Sequence, residues 1–416
     1  MIKQYSSENS SGIVIVVGLG YVGLPLAVNA AESGFKVYGF DISKDKIAEL
    51  KKGLTDSPEV EKTHLLSLQE KGKIEFTSII PKLDSPSIIV IAVPTPLDFN
   101  RQPDLEMLKN ACTLVASIIV DNSLVVNEST SYIGTLRNLI KPTIGNISSA
   151  KNISYAVAPE RIDPGNNKWN LKNTPRVIAG LDEVAVQKAV NFYSKFCNTL
   201  HIAPEPEVAE ASKLFENTFR QVNIALVNEL ANIANSMGFS AHETIKAAST
   251  KPFGFMPFYP SIGVGGHCIP VDPSYLEFSA KSLGVEAKFI NLANLTNSSM
   301  PERIADQVKI TLGGELNGKR IQLAGISYKP NISDIRESPA IELMKILRGY
   351  GAQVIWNDPL VKVFEGQSSE ELNINIDLGL IITPHKEINF AIWRDAKIKV
   401  LDLSPNLNYY GWPKFL

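Results

Sequence analysis

Ile13-Val14-Ile15-Val16-Val17-Gly18-Leu19-Gly20-Tyr21-Val22-Gly23 carries a β-branched run, long enough for a buried parallel strand, straight into Gly-x-Gly-x-x-Gly. An apolar helical stretch follows over 24–33, and Gly34 stops it. Lys36-Val37-Tyr38-Gly39-Phe40 then reads as a second strand, ending at Asp41. The glycine spacing alone is weak evidence. Set between strand and helix, with an acid about 20 residues on, it is the dinucleotide fingerprint. Gly18 and Gly20 allow the turn and the close approach of a pyrophosphate to the helix N-terminus, and Gly23 allows helix–strand packing. Asp41 would accept from ribose hydroxyls, which favours NAD over NADP because a 2′-phosphate would be repelled. Lys46 is near enough in sequence to weaken that preference slightly.

Further strand–loop–helix units continue the α/β pattern. Ser87-Ile88-Ile89-Val90-Ile91-Ala92-Val93 runs into Pro94-Thr95-Pro96, Leu124-Val125-Val126-Asn127 into Glu128-Ser129-Thr130, and Ser154-Tyr155-Ala156-Val157-Ala158 into Pro159-Glu160-Arg161. Ligands of open α/β sheets bind outside the carboxyl ends of the strands, so Thr95, Thr130 and Glu160 are candidates to face cofactor and substrate. Each is equally a residue type that caps helices or makes turns.

At 416 residues the chain exceeds one typical core, and two or three domains are expected. Lys+Arg 41 against Asp+Glu 43 leaves a net charge of −2, so no global field attracts nucleic acid or an anionic membrane. Cys112, Cys197 and Cys268 are widely spaced and the five histidines scattered, with no metal-ligand pattern. That usage fits a reducing compartment. The polar start, and the absence of an apolar run of roughly 18–20 residues, point to a soluble cytoplasmic chain.

The middle of the chain reads as mostly helical. A long helical pattern over 208–238 places Glu210, Lys213, Asn217 and Arg220 on one stripe, and Leu214, Val222, Leu226, Leu230 and Ile233 at packing positions. A Lys–Asn pair four residues apart can present an ammonium and an amide to one ligand oxygen; a solvated face is the alternative. A second helical pattern ends near Gly284, and a third runs from Phe289 through Met300-Pro301 toward Gly313. Between the first two lies Gly263-Val264-Gly265-Gly266-His267-Cys268-Ile269-Pro270-Val271-Asp272-Pro273. Three glycines let the backbone pass close to a ligand, and the loop delivers a thiol and, four residues on, a carboxylate. A thiol becomes a useful nucleophile when neighbours lower its pKa or a base takes its proton. A small buried hydrophobe is the competing reading of Cys268.

The last third opens a second α/β pattern: strand 321–326, helix 339–348, and strands 353–356, 378–382 and 398–403. Its first turn, Gly325-Ile326-Ser327-Tyr328-Lys329-Pro330, lacks the dinucleotide glycines, while Lys329 and Arg336 form a basic pair suited to phosphate. The expected architecture is therefore α/β, with two Rossmann-like parallel-sheet domains joined by a central helical domain. The boundaries expected are 1–203, 204–312 and 313–416.

Taken together, GLGYVGLP (18–25), VPTP (93–96), EST (128–130), APERIDPG (158–165), ASKLFENTFR (211–220), GVGGHCIPVDP (263–273) and GISYKPNISDIRESP (325–339) make the chain resemble the UDP-glucose/GDP-mannose dehydrogenase family from about Ile13 to Leu403. The resemblance implies an NAD domain, a central domain that dimerises and a C-terminal domain holding the UDP moiety, with no metal. It further implies four-electron oxidation of a sugar C6 alcohol to a carboxylate, through a thiohemiacetal and a thioester on Cys268. Lys213 and Asn217 match positions that stabilise the developing oxyanion. Asp272 matches the carboxylate that orders or deprotonates water, supported by Thr130 and Glu160. Gly18, Gly20, Tyr21, Val22, Gly23, Asp41, Lys46, Thr95, Thr130 and Arg336 match cofactor contacts. Matches to substrate contacts comprise Glu160, Arg161, Lys213, Asn217, Arg220, Phe258, Tyr259, Gly263, Gly265, Gly266 and Lys329. Lys251 falls near the place of an arginine that reaches into a partner subunit's site.

Family members specific for UDP-glucose carry Ser before the cysteine and Lys before the aspartate, where this chain has His267 and Val271. With residues 250–258, this looks more like the UDP-N-acetylhexosamine branch, and within it like enzymes for UDP-N-acetylglucosamine more than for the mannosamine epimer. The implied product is a UDP-sugar uronate for surface polysaccharide synthesis. Two other readings compete. A two-electron dehydrogenase of the 3-hydroxyacid type also pairs an NAD domain with a Lys–Asn pair but needs no cysteine; the GGHC loop and second α/β domain speak against it. An NAD(H)-sensing regulator would be signalled by loss of the cysteine, lysine or asparagine, and all three are present.

Overall fold

The computed structural model describes residues 12–416 apart from 56, 58, 164, 165, 167, 267, 268 and 406–409. The chain divides into two compact units, Met1–Phe215 and Glu216–Leu416.

The first unit is built on strands β1 (Ile13–Val17), β2 (Lys36–Phe40), β3 (Ile74–Thr77), β4 (Ser87–Ile91), β5 (Leu124–Asn127), β6 (Ser154–Val157), β7 (Arg176–Gly180) and β8 (Leu200–Ile202). They form one sheet in the order β3-β2-β1-β4-β5-β6-β7-β8, antiparallel only between β6 and β7. The order reverses direction at β1 and β4, the switch point where doubly wound folds bind ligands. Alternate residues of β1 serve opposite cores. Val14 and Val16 pack with Val37, Phe76 and Val90 on one face. Ile15 and Val17 pack with Ile89, Ile91 and Val125 on the other. A sheet covered on both faces explains the uninterrupted β-branched run. The covering helices are α1 (Gly23–Glu32), α2 (Lys44–Lys51), α3 (Lys62–Glu70), α4 (Glu106–Ile118), α5 (Lys141–Ile147) and α6 (Glu183–Tyr193). Strands β3, β7 and β8 go beyond the sequence reading; β3 and β8 span only four and three residues, and β7 is headed by an arginine that interrupts the apolar pattern.

Helix α7 (Pro206–Met237) begins in the first unit and continues into the second. It is followed by α8 (Ala241–Ala248), α9 (Asp272–Ser282), α10 (Lys288–Ser298) and α11 (Met300–Thr311). The single helical run expected from Phe289 toward Gly313 is two helices, separated at Ser299. Pro301 lacks an N–H and sits in the first turn of α11, where no intrahelical donor is required.

The second sheet uses β9 (Arg320–Ala324) and, after α12 (Pro339–Gly349), β10 (Gln353–Asn357). A short hairpin, β11 (Val363–Phe364) and β12 (Gln367–Ser368), leads to β13 (Leu378–Ile381), α13 (Ala391–Asp395) and β14 (Val400–Asp402). Its order is β10-β9-β13-β14, parallel throughout. Ile321, Leu323, Val354, Trp356 and Leu380 form its core with Leu343 and Leu347 of α12. Among the described residues, no helix is long and apolar enough to cross a membrane.

Candidate active site

The fingerprint glycines do three different jobs. At Gly18 φ is +96°, and a Cβ would be driven into the backbone of Ala92, so this turn needs glycine on both counts. At Gly23 a Cβ would collide with the Gly18 carbonyl oxygen and press on Val16, which is the helix–strand contact anticipated for the third glycine. At Gly20 a Cβ would meet nothing within 4 Å. Among the described residues no atom requires that glycine, and the open space lies at the start of α1, whose N-terminal N–H groups suit a pyrophosphate. Asp41 at the end of β2 braces the turn: its carboxylate accepts from the Leu19 N–H at 3.0 Å and the Ser43 N–H at 3.0 Å. Two acceptor positions per oxygen leave it able to take ribose hydroxyls as well. Tyr21 and Val22 lie half-buried in the same turn, and Lys46 in the first turn of α2, whose cap is the Ser43 hydroxyl. These residues fit a dinucleotide.

Beyond β4 and β5, the Thr95 hydroxyl is buried and donates to the Thr130 carbonyl at 2.5 Å, while Thr130 itself is half-buried. Glu160, after β6, is buried too. One oxygen accepts from the Arg161 and Ile162 N–H groups at 2.6 and 2.7 Å, and the other pairs with Arg176. Arg176 also pairs with Glu128 and lies 4.9 Å from the centre of the Tyr193 ring, whose hydroxyl donates to Glu128. Burial pushes the Glu128 carboxyl up, against the opposing charge of Arg176, to about 6. The sequence reading missed Arg176 and Tyr193. The available signal was an arginine heading the apolar strand Arg176-Val177-Ile178-Ala179, because a charge buried there must find carboxylates. Arg161 is half-buried and donates to the Pro175 carbonyl at 2.9 Å.

On α7 the polar stripe is not a solvated face. Glu210 and Lys213 are buried, Asn217 is half-buried and Arg220 is exposed. Glu210 accepts from the Gly134 and Leu136 N–H groups at 2.5 and 2.9 Å, and burial outweighs those bonds to bring its carboxyl to about 7. Asn217 donates its amide to Asp272 at 2.5 Å. Asp272 is 1% exposed at the first position of α9, so two candidates 55 residues apart are in direct contact.

The segment before Asp272 is held from both sides within the second unit. Asn228 of α7 accepts from the Ser261 N–H at 2.9 Å and donates to Asn297 of α10 at 3.0 Å. On the other side, the Gly266 N–H donates to the Arg336 carbonyl at 3.0 Å. A Cβ at Gly265 would lie 2.7 Å from Tyr328 Cβ, and one at Gly266 2.7 Å from the Tyr328 ring; at Gly263 it would approach Asn297 and Pro339. A side chain at Gly265 or Gly266 would therefore displace the segment 328–339. Lys329 is half-buried in that segment, and Arg336 is exposed with its guanidinium forked on Asp334. Lys251 is exposed, 5.0 Å from the centre of the Phe253 ring. Phe258 packs edge-on against Phe219, and Tyr259 stacks on His242. Cys268 and His267 lie outside the described residues. The other two thiols are buried, and burial pushes both up to about 12, so neither supplies a thiolate near neutral pH.

Comparison with known proteins identifies three successive domains of one family. Residues 13–197 match the NAD binding domain of the UDP-glucose/GDP-mannose dehydrogenase family, 207–299 its central domain and 322–406 its UDP binding domain. A UDP-N-acetyl-D-glucosamine 6-dehydrogenase of Pseudomonas aeruginosa is 37% identical over 84% of this chain and 83% of its own. A UDP-N-acetyl-D-mannosamine dehydrogenase of Pyrococcus horikoshii is 34% identical over 91% of each. A solved structure described as the UDP-D-ManNAc dehydrogenase of that organism superposes with a TM-score of 0.85, at 30% identity, over 96% of this chain and 97% of the other. With the fingerprint turn fitted for a dinucleotide and all three domain matches in order, the chain belongs to the UDP-glucose/GDP-mannose dehydrogenase family of NAD-dependent oxidoreductases.

Proposed function

We propose that the chain oxidises the C6 hydroxyl of a UDP-N-acetylhexosamine, with UDP-N-acetylglucosamine favoured, to the uronate. The observation that carries this reading is the Asn217–Asp272 contact, which ties the polar stripe of α7 to the helix that starts four residues past Cys268. NAD, bound at the fingerprint turn, supplies the hydride acceptor for each of the two oxidation steps. Cys268 adds to the C6 aldehyde to give a thiohemiacetal, whose oxidation leaves a thioester on the same sulfur. Lys213 and Asn217 place N–H donors on the oxygen that gains negative charge at each addition. Asp272, accepting from Asn217 on one oxygen, orders or deprotonates the water that cleaves the thioester, and Thr130 and Glu160 support it.

Gly18, Gly20, Tyr21, Val22, Gly23, Asp41, Lys46, Thr95 and Arg336 are assigned to the cofactor. Arg161, Arg220, Lys251, Phe258, Tyr259, Gly263, Gly265, Gly266 and Lys329 are assigned to the UDP-sugar. The domains are taken as 1–203, 204–312 and 313–416. The working form is a homodimer or higher homo-oligomer: Phe219, Leu226, Ile233 and Met237 are exposed apolar residues on α7, as are Phe289, Leu292 and Leu295 on α10. Such exposed apolar residues mark an association surface. Place of action is the cytoplasm, whose reducing conditions suit three cysteines widely spaced in sequence. His267 before the cysteine and Val271 before Asp272 favour a UDP-N-acetylhexosamine over UDP-glucose, and the Pseudomonas aeruginosa relative favours UDP-N-acetylglucosamine. The Pyrococcus horikoshii relatives keep UDP-N-acetylmannosamine as the second candidate.

The test is NADH formed per limiting UDP-sugar. Two equivalents from UDP-N-acetylglucosamine, lost or stalled in Cys268→Ala, are expected. One equivalent from both proteins refutes the covalent route. Turnover of the mannosamine epimer alone corrects the sugar and leaves the mechanism.

A further inference from the structure

The buried groups at the carboxyl ends of β9, β10 and β13 have no part in the chemistry above. Asp358, after β10, is fully buried, and one of its oxygens accepts from the Ile326 N–H (2.9 Å), the Ser327 N–H (3.0 Å) and the Ser327 hydroxyl (2.8 Å). His385, after β13, brings Nε2 to 3.0 Å from that same oxygen and 2.8 Å from the Ser327 oxygen. Its Nδ1 accepts from the Asn331 N–H at 3.0 Å. A serine, a histidine and an aspartate in contact invite a nucleophilic reading, and the hydrogen bonds exclude it. The Asn331 N–H on Nδ1 leaves the ring proton on Nε2, the nitrogen that would have to take a proton from Ser327.

What the cluster does hold is the segment 326–339. Asp358 fixes its first two N–H groups, His385 fixes Asn331, and Thr383 donates to the Ser327 carbonyl at 2.7 Å. Asn331 and Glu337 both adopt positive φ, at 64° and 49°, a conformation that costs about 1–2 kcal/mol for residues other than glycine and persists where the surroundings enforce it. The far side of this segment is the wall against which residues 263–266 lie, through Tyr328, Pro339 and the Arg336 carbonyl.

We propose that Ser327, Asp358 and His385 are positioning residues for the substrate loop: they fix the segment that carries Lys329 and that shapes the backbone two residues before Cys268. This deepens the functional reading above and rests on it for the identity of the loop. The test pairs Ser327→Ala with His385→Asn. The asparagine keeps an acceptor for the Asn331 N–H and removes the donor to Asp358. Hydrogen exchange and steady-state kinetics are measured on the full chain, well below each variant's Tm. Expected are faster exchange in a peptide spanning 260–266, unchanged exchange in α1, and a KM for the UDP-sugar raised by about tenfold, as for loss of one charge-assisted hydrogen bond. The KM for NAD, to which this segment contributes only Arg336, moves less than the KM for the UDP-sugar. Faster exchange confined to 326–339 or 383–391, with KM unmoved, overturns the proposal, as does a uniform rise across the second unit. If His385→Asn does not fold, Ser327→Ala decides alone. Should no UDP-sugar turn over in the wild type, the functional reading falls, while the exchange result still decides whether the cluster controls 263–266.

Discussion

Replacing Gly20 and Gly23 by alanine, separately, should split the fingerprint into a ligand position and a packing position. At Gly20 the added methyl meets no protein atom within 4 Å and φ lies outside the left-handed range, so the fold should lose nothing. Loss of unfolded-state freedom could add about 0.4–1 kcal/mol of stability. The methyl instead occupies the opening at the start of α1, where a pyrophosphate would approach. A contact made too tight by one methyl costs about 1–3 kcal/mol, roughly five- to 150-fold in Kd for NAD. At Gly23 the methyl runs into the backbone of Gly18, which cannot rotate away as a side chain would. Backbone displacement of that kind costs about 3 kcal/mol or more, or about 6–12 °C in Tm for a unit of this size. Thermal unfolding without ligand and calorimetric titration with NAD separate the two effects. Equal losses of Tm in both variants, or unchanged NAD affinity in Gly20→Ala, would refute the reasoning.

Three further outcomes follow from the geometry. Gly266→Ala forces φ +83° on alanine and drives a Cβ into the Tyr328 ring. It should cost about 2–4 kcal/mol, and adding Tyr328→Ala should return the steric share, about 1–3 kcal/mol, in a double-mutant cycle; strictly additive changes would contradict the contact. Arg176→Met leaves Glu128 and Glu160 buried without their cation, so unfolding in urea should show a loss of about 3–5 kcal/mol, and adding Glu128→Gln should recover part of it. Glu210 has its carboxyl held near 7, above its ordinary 4.5, so the folded chain keeps a proton that the unfolded chain releases. Its stabilisation is full below about pH 4.5 and is lost as pH rises through 7, a change of about 3 kcal/mol. The stability difference between wild type and Glu210→Gln should therefore fall by that amount between those pH values; a difference flat with pH would count against it.

Much of this was legible because it is written in short windows of sequence. The run Ile13–Val17, the glycines after it and the acid at Asp41 specify a strand, a turn and a second strand by local sterics and β-branching alone. The stripe of Glu210, Lys213 and Asn217 follows from helical periodicity, and the break at Gly34 from backbone chemistry; the break before Pro301 was not read, because the apolar pattern runs on across it. The sequence could also set Lys213, Asn217, Cys268 and Asp272 side by side as candidates, through resemblance to a family.

What no window contains is the choice of partners. That Asn217 reaches Asp272, that Glu160 is tied to Arg176 and Glu128, and that Gly265 and Gly266 yield space to Tyr328 depend on segments far apart in the chain. The same holds for Ser327, Asp358 and His385, which meet only because parallel strands deliver their carboxyl ends to one edge. Periodicity and propensity act over a few residues, whereas the pairing of buried charges and the meeting of loops are set by strand order and register. Those are properties of the folded chain as a whole.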